Sequence, residues 1–142
     1  VDKGLRVLVV DDDRQMAKTL AGVLNLKGFE TEAACSGNSA LKMLEADRFD
    51  CVITDVKMPD VSGVDLLRAI KSVRPYLPVV LMTANATSDL IHDGLREGAV
   101  AGFAKPLDLN LLVAFLMGLA GKSRYLAAVL RGCPDMLLSQ TP

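Results

Sequence analysis

Four places in the 142-residue chain carry side chains that could act together on an anion: Asp11-Asp12-Asp13, Asp55, Thr83 and Lys105. Each follows a short apolar run, over residues 5–10, 50–54, 79–82 and 102–104 respectively. In parallel α/β sheets, ligands bind beyond the carboxyl ends of the strands, so if these runs are strands of one sheet the four groups meet at one edge. Three or four carboxylates within a few ångströms disfavour one another's charged forms unless a cation neutralises them. Magnesium is the natural cation, because it takes hard oxygen ligands, keeps several waters and shares one or two carboxylates with phosphate oxygens. One carboxylate free to attack, a divalent ion on the incoming oxygens, a hydroxyl and an ammonium together form a phosphoryl-transfer site with an aspartate as nucleophile.

The elements that must position these groups follow from hydrophobic period. Residues 5–10 form a β-branched run that stops at three aspartates, the pattern of a strand buried on both faces. Met16, Leu20, Val23 and Leu24 recur at helical spacing, and Gly28 ends the pattern as a helix C-cap does. The alternation repeats, with strands over 30–34, 50–54, 79–82 and 102–104, helices over 38–46, 64–73 and 88–97, and a last helix from about Asp108. Strand–helix alternation with right-handed crossovers predicts a doubly wound, three-layer α/β domain on a five-stranded parallel sheet. Strand order is not readable from period. We expect a domain over residues 1–120 and a C-terminal helical extension or linker over 121–142, with Leu126, Val129 and Leu130 at helical spacing.

Composition narrows the function classes. The chain has 16 Lys and Arg against 17 Asp and Glu, which argues against nucleic-acid binding by bulk charge. The longest uncharged stretch, residues 109–121, is 13 residues long. A bilayer span needs about 20. The N-terminus Val1-Asp2-Lys3-Gly4 has no signal-peptide core and looks like a processed end without an export address, so a cytoplasmic location is expected. Cys35, Cys51 and Cys133 form no C-x-x-C pair, which suits reduced thiols, with Cys51 in the core. His92 has no second ligand at metal spacing and is expected to be solvated.

Taken together, Val9-Val10-Asp11-Asp12, Thr54-Asp55-Val56-Lys57-Met58-Pro59-Asp60 with Gly63, Leu81-Met82-Thr83-Ala84, and Lys105-Pro106 resemble the receiver domain of two-component response regulators. The resemblance covers roughly residues 5–118. Each motif alone is weak, but four in order, each at a strand end, are specific. The resemblance implies a flavodoxin-like fold and phosphoryl transfer from the phosphohistidine of a sensor histidine kinase or histidine phosphotransfer protein. It assigns the acceptor to Asp55, Mg²⁺ binding to Asp11, Asp12, Asp55 and the Lys57 carbonyl, the phosphoryl oxygens to Lys105, and a bond formed after phosphorylation to Thr83. It further implies a cis Lys105-Pro106 bond, access to Asp55 past small Ala84, tuning of phosphoryl loss by Lys57 and Asn85, and an output domain or a homodimer as the surface's partner.

One position departs from the pattern. Receivers commonly carry an aromatic three residues before the lysine, where this chain has Gly102, with Phe103 one place later. Strand side chains alternate faces, so Phe103 cannot substitute, and signalling is expected to use the segment 84–89 and the helix after it. Simpler roles compete at some positions: Asp13 reads as the N-cap of the first helix, and residues 59–63 as turn chemistry. Two other function classes fit less well. A haloacid dehalogenase-type phosphohydrolase would use Asp11, Asp13, Thr83 and Lys105 but leaves Asp55 unexplained. A phospho-independent docking module would have no use for the acidic set.

Overall fold

The computed structural model describes residues 4–85, 89–119 and 136–138. Five parallel strands, β1 (Arg6–Val10), β2 (Glu30–Ala34), β3 (Cys51–Asp55), β4 (Val79–Thr83) and β5 (Ala101–Ala104), alternate with helices α1 (Arg14–Leu26), α2 (Gly37–Ala46), α3 (Gly63–Val73), α4 (Asp89–Arg96) and α5 (Leu109–Leu119). A short β6 (Met136–Leu138) adds antiparallel to β5, giving the order β2-β1-β3-β4-β5-β6. The five-stranded parallel unit is as expected. The antiparallel strand was not, and the helix expected around residues 125–130 lies outside the described residues.

Alternation along each strand divides the core into two layers. Val7, Val9, Ile53, Val80, Met82 and Phe103 pack with Ala17, Leu20 and Leu24 of α1 and Leu112 and Leu116 of α5. Leu8, Val10, Val52, Val79 and Leu81 pack with Ala40, Leu44, Leu66, Leu67, Ile70 and Ile91 of α2, α3 and α4. Burial on both faces explains why these strands read as continuous apolar runs. The buried stripe of α1 is Ala17, Leu20, Ala21 and Leu24; of the expected stripe Leu20 and Leu24 hold, while Val23 is half-buried and Met16 is 42% exposed, a correction at two positions.

Helix ends set where the strands stop. The Asp13 carboxylate accepts from the Gln15 and Met16 amides at 3.0 and 3.2 Å, the N-cap read from sequence. Ser36, Ser62 and Asp108 cap α2, α3 and α5 in the same way. Gly28 takes φ +99° just beyond α1, a conformation that costs a side-chain-bearing residue energy. No helix among the described residues is long and apolar enough to cross a membrane.

Candidate functional site

Register brings the four groups together. Val10 pairs with Thr54, Asp55 with Met82, and Thr83 with Ala104, so Asp11, Asp55, Thr83 and Lys105 all lie at the carboxyl edge of neighbouring strands. The chain runs from β1 outward to β2, then crosses back past β1 to β3 and on to β4 and β5. That reversal opens the crevice in which α/β sheets bind ligands.

Asp11, Asp12 and Asp55 each present a carboxylate oxygen, and the three lie within 4.8 Å of one another. Asp11 is buried, Asp55 half-buried and Asp12 exposed, so the cluster opens to solvent through Asp12. The Lys105 ammonium donates to Asp11 Oδ2 at 2.9 Å and to Asp55 Oδ2 at 3.2 Å. Asp11 Oδ1 accepts from the Asp13 amide at 3.0 Å, which aims its second oxygen at Lys105. The Lys105 amide is tied to the Thr83 carbonyl at 2.7 Å, and the Lys105-Pro106 bond is cis, as the resemblance implied.

Among the described residues, the Lys105 ammonium pairs with two of the three carboxylates, so the cluster carries excess negative charge. Burial pushes the Asp55 carboxyl above its usual range, the Lys105 charge and hydrogen bond pull against it, and the charge of Asp11 adds to the rise. A hydrogen bond from the Lys57 backbone also favours the charged form of Asp55. For Lys105, burial favours the neutral amine, yet the hydrogen bond to Asp11 and the charge of Asp55 prevail and hold its pKa above the ordinary value. An all-oxygen, net-negative, partly solvated donor set suits a hard divalent cation such as Mg²⁺.

Thr83 sits at the site with its hydroxyl engaged locally. It donates to the Asn85 carbonyl and accepts from the Asn85 amide, both at 3.0 Å, in a turn just past β4. Phe103 lies in the layer under α1 and α5, edge-on to Phe115 with ring centroids 5.6 Å apart, a core role that agrees with the face expected from alternation. Asp13 is spent on its cap and lies outside the carboxylate cluster, which leaves the phosphohydrolase reading without its second acid. His92 is exposed. Cys51 is a free core thiol pushed up to about 12 by burial, Cys35 is free as well, and Cys133 lies outside the described residues.

Two residues read as turn chemistry have longer reach. The Asp60 carboxylate accepts from the Gly37 and Asn38 amides at 3.3 and 3.0 Å, so the loop after Asp55 helps cap α2, and these bonds hold the Asp60 pKa low. Gly63 starts α3 directly against the end of β3: a Cβ there would lie 2.3 Å from the Asp55 carbonyl oxygen and 2.8 Å from Val56 Cα. Both neighbours are backbone and cannot swing aside. Gly63→Ala is expected to cost at least about 2 kcal/mol, the scale of a forced backbone shift, read as a lower urea midpoint. An unchanged midpoint would show that α3 does not abut the site this closely.

The family model described as the response regulator receiver domain matches residues 7–117. The response regulator protein FleR of Pseudomonas aeruginosa is 39% identical over 108 residues, which is 76% of this chain and 23% of FleR. Sporulation initiation phosphotransferase F of Bacillus subtilis is 33% identical over 105 residues, 74% of this chain and 85% of that protein. The solved structure of the chemotaxis response regulator CheY4 of Vibrio cholerae superposes with TM-score 0.74 at 28% identity, covering 82% of this chain and 98% of that one. The chain belongs to the response regulator receiver family and has its flavodoxin-like fold. It spans about a quarter of FleR, so what a whole regulator built on it would do is a separate question.

Proposed function

We propose that this receiver accepts a phosphoryl group on Asp55 from the phosphohistidine of a sensor histidine kinase or histidine phosphotransfer protein. The observation that carries the reading is three carboxylate oxygens within 4.8 Å of one another, two of them, on Asp11 and Asp55, sharing the ammonium of Lys105. In the step itself an Asp55 carboxylate oxygen attacks phosphorus, a P–O bond forms, the P–N bond to imidazole breaks, and the imidazole leaves with that electron pair and takes up a proton. Water later hydrolyses the acyl phosphate and restores the carboxylate, so the only chemistry is the domain's own phosphorylation and dephosphorylation.

Asp11, Asp12, Asp55 and the Lys57 carbonyl would hold Mg²⁺. Bound there, it supplies positive charge against the phosphoryl oxygens. The remaining work belongs to this chain's side chains. Asp11 orients the Lys105 ammonium, which exchanges its bond to Asp55 Oδ2 for a phosphoryl oxygen and gains a more highly charged partner. Thr83 must give up the Asn85 carbonyl to donate to the phosphoryl group, and this loosens the turn after β4. That release replaces the aromatic movement that Gly102 makes unavailable, and the altered surface addresses an output domain or a second copy. The expected place of action is the cytoplasm, where such donors work.

Incubation with acetyl phosphate and Mg²⁺, followed by intact mass and borohydride trapping, tests the reading. One phosphoryl group is expected, trapped on the peptide carrying Asp55 and absent when EDTA is present. Trapping on another residue, or no mass gain with any donor, would sink it.

A further inference from the structure

β5 would be the sheet's last strand without β6, and it holds only the four residues Ala101–Ala104. Such an edge offers unpaired backbone groups, a template for another extended segment. Here the chain itself supplies one: Met136–Leu138 runs antiparallel, with Phe103 opposite Met136, Gly102 opposite Leu137 and Ala101 opposite Leu138. At the centre of this pairing stands Gly102, whose lack of a side chain suits close approach of a second backbone. The contact involves three residue pairs, against five between β1 and β2, and among the described residues it is made on one side only. Segments held so lightly open far more readily than the sheet interior.

The same strand leads into the site. One residue past β5, the Lys105 amide bonds to the Thr83 carbonyl and its ammonium to Asp55. We propose that the outer edge of β5 is a strand-addition site whose resident is Met136–Leu138 of the same chain, and that occupation of the Asp55 site changes how firmly that resident is held. The second half rests on the reading of Asp55 as the phosphoryl acceptor. The first half does not.

Amide hydrogen exchange on the full chain, read residue by residue by NMR, tests both halves. Leu137→Pro deletes a backbone donor and fixes φ, and should lower the protection of the residue 101–103 amides that point away from β4 by about tenfold. Protection in β1 should stay unchanged, which shows that the variant folds, and Leu137→Ala should keep the parent's values. Unchanged protection in Leu137→Pro would overturn the strand-addition site. With Mg²⁺ and beryllofluoride, whose binding is followed separately by fluorine NMR, the same amides of the parent should shift in protection by at least about threefold. Bound beryllofluoride without such a shift would overturn the coupling alone. Absence of bound fluoride would remove the Asp55 reading and the coupling with it, leaving the strand-addition site to stand or fall on Leu137→Pro.

Discussion

Asp55→Asn is expected to abolish phosphoryl acceptance completely and, at neutral pH, to raise the melting temperature. The loss is chemical, since an amide cannot become an acyl phosphate. The gain follows from linkage. Burial holds the Asp55 carboxyl above its usual range despite Lys105, so the folded state favours the protonated form. The stabilisation from a raised carboxyl is fully present below its unfolded pKa and is lost as pH climbs through the folded value. An asparagine keeps an oxygen for the Lys57 and Lys105 hydrogens and does not titrate. The gap in melting temperature between variant and parent should therefore be small in acid and open as pH rises through the Asp55 titration. Melts at low ionic strength without divalent cations measure it, and a variant less stable than the parent at every pH would refute the electrostatic account. Mg²⁺ should then raise the parent's melting temperature more than the variant's, because the variant offers one anionic ligand fewer.

Lys105→Ala should be the most destabilising substitution at the site. It strands Asp11, whose side chain is 3% exposed, and Asp55, at 15%, with no cation between them. Removing one partner of a buried ionic cluster typically costs about 3–5 kcal/mol, and access to solvent through Asp12 places the expected loss at about 3 kcal/mol. Mg²⁺ should recover much of it, so the cation's effect on the urea midpoint should exceed that in the parent. Phosphoryl acceptance should persist, since Asp55 and the ligand set remain, while any partner response to phosphorylation should fall sharply because the ammonium no longer follows the phosphoryl oxygens. Equal Mg²⁺ effects in the two proteins would show that Lys105 does not neutralise this cluster.

Much of the site is legible in the sequence itself. β1, β3, β4 and β5 are buried on both faces, so their apolar runs stand out, and the chemistry-bearing residues are the ones that stop them. Asp11, Asp55, Thr83 and Lys105 were located for that reason, and Asp13 and Gly28 because caps are local chemistry acting within a few residues. The α1 stripe differs from its apolar pattern at two positions because alanines count little in such a pattern, yet Ala17 and Ala21 are buried where Met16 is exposed and Val23 half-buried.

What sequence alone determined was thus whatever acts along the chain: period, caps, and the polar residues at which buried strands end. Tertiary structure decided what acts across it. The reach of Asp60 to α2, the abutment of Gly63 on the Asp55 backbone, the sharing of one ammonium by Asp11 and Asp55, and the pairing of Met136–Leu138 with β5 join residues 8 to 94 positions apart or elements far apart in order. No local pattern encodes such contacts, because each depends on strand order and register, and these are set by how the whole sheet packs between its two layers of helices.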